Sequence, residues 1–464
     1  MTAADGRVLP RMLVIMLLVA TIFNDITPFL PVGEMAKDGF IYLFPIAFGL
    51  FLLRPRQIRF PAAFTAIFLI FIAVIVTGVV LNYDEISTAY FKGRSGMSRV
   101  ITQGMVVVLG PLVSLLFYNL AHRGQMRDIS RGAEITLWVM AVVGFLELMS
   151  WYSIPGLTQL YDTLSIAIHA GNEDYANRLR TAAFEASWAA VMVSFVFPFA
   201  MTRATPVKLV VYSLIVIAIM GLAQSRTAML VIGIQFTVLA AAFFRHRKDY
   251  FIYGATVACL VAMAILTTPG LGQSVTEKFS NLIEYGSTEG LIDTTPGAIE
   301  NASNVTRLAA IRAGMSMFRE RPLIGVGFGQ YGFHYPSHIH MDDMRSWEVQ
   351  RYVTEGDTQL GWPPAYSLHV RMLSETGMLG YSMWLMIILP VLFRSLIMAD
   401  GRSYLGRMHL AVAMILIGWM LLGVSIDSFR FFGGWIALGV GLALSRPPQV
   451  SGNRGVSVRS ASAS

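Results

Sequence analysis

Roughly twelve stretches of this chain are apolar for long enough to cross a lipid bilayer, and no other feature limits its fold so tightly. A crossing helix needs about twenty apolar residues, because each residue advances ~1.5 Å and the hydrocarbon core is about 30 Å thick. Such runs cover approximately 9–29, 38–53, 60–81, 99–120, 132–152, 184–202, 207–224, 226–244, 249–267, 372–395, 404–425 and 428–445. The second is short enough to be tilted or partly interfacial. Only 14% of positions are charged, against roughly 25% in a soluble domain. The expected fold is therefore all-α, a polytopic integral membrane protein of about twelve transmembrane helices.

The basic residues lie in short clusters between these runs. With the N-terminus in the cytoplasm, the inside segments hold Arg7 and Arg11; Arg54, Arg56 and Arg59; Arg123, Arg127 and Arg131; Arg203 and Lys208; Arg245, Arg247 and Lys248; Arg394, Arg402 and Arg407; and Arg446, Arg454 and Arg459. Alternate loops are mixed or acidic, so the positive-inside rule predicts both termini inside and an even number of spans. The net charge of +7 is then a topology signal, and no nucleic-acid partner is expected. Cys259 is the only cysteine, which excludes a disulfide framework and a thiolate metal site. The first run lacks a small-residue cleavage site and is read as an uncleaved first helix.

This layout predicts a transmembrane bundle over 1–267 (spans one to nine), a large external loop over 268–367, a second transmembrane part over 368–446 (spans ten to twelve) and a disordered cytoplasmic tail over 447–464. In the loop, Asn304 to Arg321 reads as an amphipathic helix with Leu308, Ile311, Met315 and Phe318 on its apolar face, at helical spacing. Pro322 stops it, and GVGFGQYGF follows with the glycine needed for tight turns. The stretch from His334 to Trp362 carries no clear pattern. The segment 153–183 is too long for a simple turn.

Chemistry in a membrane protein is sought where polar groups meet an apolar scaffold. Arg226 follows Gln224 and Ser225 in a minimal outward turn, where burial makes a cation expensive and an anionic partner is expected; the alternative is an arginine snorkelling to the interface. Arg307 opens the loop helix, with Arg312, Arg319 and Arg321 further along; guanidinium groups fork onto phosphate oxygens, although helix arginines are usually a solvated face. Arg180, Glu185 and Ser187 stand at the mouth of the sixth span, with Glu185 either capping the helix or acting as a base. Tyr366 and His369, three apart, are expected on one helical face, where His369 could take a proton and Tyr366 orient it; a hydrogen-bonded interfacial histidine is the plainer reading. His334, His338 and His340 lack a carboxylate pattern for zinc, so no metal is expected. Asp427 and Arg430 read as a local ion pair. Glu147 and Gln103 are possible members of a polar path, though such groups more often hydrogen-bond between helices.

Ser225-Arg226, Arg307 followed by FRERPLIGVGFGQY (Phe318 to Tyr331) and LSETGMLG (Leu373 to Gly380) resemble, in order and spacing, the bacterial O-antigen polymerase and O-antigen ligase superfamily. The likeness covers about 180–390 and the overall layout. It implies a GT-C-like glycosyltransferase of the bacterial inner membrane, with its active site facing the periplasm. The donor would be a glycan on polyprenyl diphosphate, held by Arg226 and Arg307, with Arg180 a looser candidate. It implies no cofactor. Membrane lipid and a polysaccharide chain-length regulator are the partners it suggests.

Ligase-like members carry a His-Asn or His-Ser pair nine residues before the glutamate of the ETG run, and here Tyr366-Ser367 stand there, with His369 one turn later. FEASW (Phe184 to Trp188) is similar to the Glu-Pro-Ser element of polymerase-type members, with Ala186 in place of the proline. The expectation is a polymerase of O-antigen or exopolysaccharide repeat units, with His369 or Glu185 as base. The alternatives are a ligase acting on the lipopolysaccharide core or a protein, a flippase or solute transporter, and a noncatalytic assembly partner.

Overall fold

The computed structural model describes residues 8–30, 33–55, 58–170, 178–244, 299–354 and 361–445. Helices occupy eleven of the twelve apolar runs: α1 (Arg11–Ala20), α2 (Gly39–Leu52), α3 (Ala62–Leu81), α5 (Gly96–His122), α6 (Met126–Trp151), α8 (Ala186–Met201), α9 (Pro206–Ala223), α10 (Arg226–Phe244), α14 (Leu368–Met398), α15 (Tyr404–Leu422) and α16 (Phe432–Leu444). The run 249–267, the start of the external loop and the tail lie outside the described residues. Between the spans come α4 (Tyr83–Thr88), a hairpin of β1 (Tyr90–Phe91) and β2 (Arg94–Ser95), and α7 (Leu157–Ile168). Between α10 and α14 come α11 (Ile299–Glu320), α12 (Tyr331–His334) and α13 (Trp347–Thr354).

Six of these helices are long and apolar enough to cross a membrane, and five further apolar helices are shorter. The protein is a multi-pass membrane protein. Local chemistry sets the boundaries. Pro10 and Pro61 precede α1 and α3, Pro206 opens α9, and Ser95, Thr205, Ser367 and Ser403 cap the helices they precede, each hydroxyl accepting an otherwise orphaned backbone N–H.

Among lipid tails burial brings little hydrophobic gain, so close packing holds the helices together. At the centre Trp384, Trp419 and Trp435 are buried, their rings meeting edge to face at centroid separations of 5.0 to 5.6 Å. Gly110 admits the Trp435 ring and Gly439 lies against the Ser114 backbone, so α5 and α16 approach closely. The Ser114 hydroxyl donates to the Trp435 carbonyl across this seam, 2.8 Å away. Outward, Leu69, Val76, Ile101, Phe145 and Phe393 are exposed, as lipid-facing side chains must be.

The segment between α10 and α14 has its own small core of Ala310, Ala313, Met317, Val326, Tyr331, Tyr335 and Ala365. The loop helix is where the sequence places it, but its buried face is different. Ala309, Ala310, Ala313 and Met317 are buried, whereas Leu308 is exposed and Ile311, Met315 and Phe318 are only half-buried. Small residues win this face because they let α11 press onto α14, where a Cβ at Gly314 would overlap Val370.

Candidate functional site

The site is organised by a break in α14. At Gly377 the backbone leaves helical geometry (φ +62°, ψ −167°), which frees the carbonyls of Ser374 and Glu375 and the N–H groups of Met378 and Leu379 from their i to i+4 partners. The turn after α11 replaces all four bonds. Val326 N–H donates to Ser374 O (2.9 Å), Gly327 N–H to Glu375 O (3.1 Å), Met378 N–H to Pro322 O (2.7 Å) and Leu379 N–H to Leu323 O (3.2 Å). A Cβ at Gly325 would run into the Ser374–Thr376 backbone, and one at Gly377 into Leu323. Two glycines at positive φ are thus what allow the chains to touch. The GVGFG and ETG motifs are one structure. Met378–Met398 alone, at 1.5 Å per residue, is about 32 Å long and sufficient to cross the membrane.

Above the break lies a buried charged group that the sequence reading missed. Arg371 pairs with Glu375 at 3.3 Å and donates to the Asp427 carbonyl and to Gln103 Oε1, both at 2.9 Å. Its guanidinium also lies 5.6 Å from the Phe429 ring centroid. Glu375 accepts Tyr331 N–H at 3.2 Å. The i, i+4 spacing of Arg371 and Glu375 was the available signal. Gln103 therefore makes a hydrogen bond between helices, α5 to α14.

The expected Asp427–Arg430 pair does not form. Arg430 reaches Asp38 at 3.2 Å, and Asp427 accepts Ala365 N–H at 2.9 Å. Three-residue spacing brings side chains together only on a helix, and 426–431 is not helical.

The loop arginines separate into different roles. Arg312 pairs with Asp343 at 2.5 Å. Arg321 pairs with Glu85 at 2.5 Å and bonds Asn82, tying the end of α11 to α4; the hydrogen bond from Arg321 to Glu85 holds that carboxyl below its usual range. Arg307 is exposed and lies over the Tyr366 ring, 5.4 Å from its centroid. The Tyr366 hydroxyl meets Tyr352 at 3.0 Å. Burial, then Tyr352, pushes the Tyr366 phenol far up, so it stays protonated.

Tyr366 and His369 do not share a helical face. The helix begins only at Leu368, and Tyr366 sits before it at φ +52°. His369 Nε2 donates to the Met420 carbonyl (2.8 Å), which leaves Nδ1 to accept the Tyr381 hydroxyl (3.1 Å). Both ring nitrogens hold α14 in place. Of the loop histidines, His338 bonds Glu320 at 3.0 Å, and among the described residues no group of three or more His, Cys, Asp or Glu is arranged for a metal.

The segment before α8 folds back over the end of α9. Leu179 N–H donates to Leu222 O at 3.0 Å, and Arg178 donates to Ala223 O at 3.3 Å. These carbonyls lie just before Gln224, which closes α9 in the left-handed conformation, and Arg226 opens α10. The Arg226 side chain lies outside the described set. Arg180 is buried, its N–H donating to Glu147 at 3.0 Å. Glu147 also accepts Thr181 N–H at 2.7 Å, so it fixes a loop. Glu185 is the N-cap residue of α8, but its carboxylate accepts the Ser187 hydroxyl and no backbone N–H.

His169 is buried beside Arg180, and its Nε2 donates to Thr181 O at 3.0 Å. Burial first, then Arg180, lowers its pKa from 6.5 to about 4. The unfolded chain therefore binds a proton below pH 6.5 that the folded chain refuses until about pH 4. Stability is complete above pH 6.5 and declines through this window, by no more than about 3 kcal/mol. The His169→Gln protein is expected to lose this acid-side decline in thermal unfolding, and an unchanged pH slope would count against it.

The fold and this end of it define a multi-pass membrane protein in which the turn after α11 and a buried ion pair meet at one broken helix. Residues 211–385 match the model of the O-antigen ligase family, so the resemblance drawn from the motifs holds for the stretch that contains Arg226, Arg307, the glycine turn and the break. That family implies glycan transfer of O-antigen ligase or polymerase type. No curated protein matches the chain.

Proposed function

We propose that the protein is a polysaccharide polymerase of the bacterial inner membrane, with about twelve spans and its cap in the periplasm. It moves a growing glycan from polyprenyl diphosphate to a hydroxyl of an incoming lipid-linked repeat unit. The acceptor oxygen bonds to the anomeric carbon, the bond from that carbon to the diphosphate breaks, and the diphosphate leaves on its lipid. Arg226 and Arg307 neutralise the charge that gathers on the leaving group, as fixed cations do without a metal, and Arg180 braces the loop beside Arg226.

The observation that carries this reading is the convergence of the Arg178–Arg180 loop on the α9 carbonyls immediately before Arg226, a residue that lies within the family match. Glu185 is the better base. It is half-buried, one carboxylate oxygen is steadied by Ser187, and the other has no hydrogen bond among the described residues, whereas both nitrogens of His369 are engaged.

The Arg226→Ala strain is expected to express the protein normally and to lose chain elongation. Ladder-length glycan persisting in it would overturn the assignment. The ligase reading is favoured by the family's own description. Cells lacking the gene would then retain long polyprenyl-linked polymer, whereas loss of a polymerase leaves single repeat units.

A further inference from the structure

Between the hairpin and α5 lies a second concentration of positive charge. Lys92 and Gly93 form a two-residue turn, both at positive φ, as tight hairpins require. The register pairs Phe91 with Arg94, which puts both side chains on one face. That face meets Trp362: the Arg94 guanidinium lies 5.2 Å from its ring centroid, and the Phe91 ring 6.1 Å. Arg99, in the first turn of α5, stacks at 4.6 Å. Phe333 closes an edge of the indole at 4.9 Å, and Gly332 leaves room for the ring.

Among the described residues no carboxylate pairs with Arg94 or Arg99, and Arg99 Nε is buried without a hydrogen-bond partner. The charges felt by Arg99 are Arg371 and Arg94, which repel it, and Glu375 and Asp427, which attract it. Glu375 is already bound to Arg371. Two guanidinium groups fixed on an indole and short of anions are arranged for an anion from outside the protein. Directly below them α5 exposes Ile101, Met105 and Val108, a stripe at helical spacing turned towards lipid. Beside Gly104 the space is open.

We infer that Arg94 and Arg99, held against Trp362, bind the phosphate of a membrane lipid whose tail lies along α5, and that this is the berth of the lipid-linked acceptor. Its assignment to the acceptor rests on the polymerase reading, in which two phosphorylated lipids must be held at once and Arg226 and Arg307 take the donor. The lipid-phosphate site itself does not depend on that reading.

The test uses the full chain in nanodiscs, titrated with polyprenyl diphosphate and, separately, inorganic pyrophosphate. Wild type is expected to bind two equivalents of the lipid. The Arg94→Gln/Arg99→Gln protein is expected to bind one, and to raise the KM for a lipid-linked acceptor at least tenfold while leaving that for the donor unchanged. Arg99→Lys, which keeps the charge but not the planar guanidinium, should lie between, and guards against a folding artefact. Two equivalents bound by the double variant would overturn the site. So would pyrophosphate binding there as tightly as the lipid. If wild type binds two lipids but elongates nothing, the polymerase reading falls and the site stands. Donor and acceptor KM rising together would overturn the acceptor assignment.

Discussion

Replacing Gly377 by alanine is expected to destabilise the protein by more than about 4 kcal/mol, as measured by thermal unfolding in detergent. A side chain at φ +62° costs about 1–3 kcal/mol. The added Cβ would also overlap backbone atoms of Leu323, which cannot rotate away as the end of a flexible side chain could. The turn must then lift, and the four exchanged hydrogen bonds between 322–327 and 374–379 go with it. A buried backbone group left without a partner costs about 1–3 kcal/mol. Gly221 in α9 has open space where a Cβ would go, so Gly221→Ala should leave the unfolding temperature nearly unchanged. Equal effects from the two substitutions would mean that the exchange does not support the fold.

The second large effect is expected at Arg371. Arg371→Met keeps much of the side-chain volume and removes the charge, which leaves Glu375 with 2% of its side chain exposed and one backbone donor. Breaking one side of a buried pair in this way costs about 3–5 kcal/mol. Adding Glu375→Gln removes the stranded charge, so the double variant should be more stable than Arg371→Met alone. If the double variant is the less stable of the two, Glu375 has another cationic partner and the pair is not the organising contact.

Much of this architecture is legible in the sequence because membrane spans announce themselves locally. Apolar run length gives the helices, and Pro322 gives the end of the loop helix. The burial of that helix was misread because size mattered more than hydropathy: Ala310 and Ala313 face α14, where Leu308 and Ile311 would not fit as closely. The contacts between distant segments are not legible. Nothing local says that Arg430 would leave Asp427 for Asp38, or that GVGFG would supply hydrogen bonds to the ETG run. The error over Tyr366 and His369 was one of helix phase. Ser367 is a capping residue, so spacing rules apply only after it. Arg94 and Arg99 were overlooked because a short segment of mixed charge between two spans carries no local sign that Trp362, far along the chain, lies against both guanidinium groups.

The exchange of backbone bonds at Gly377 also bears on biogenesis. In hydrocarbon an unpaired N–H or carbonyl costs several kcal/mol, so α14 cannot settle into its final shape as a lone span leaving the translocon. The ribosome makes 322–327 before 368–398, and the finished turn can therefore wait outside the membrane as a template on which the later helix completes itself.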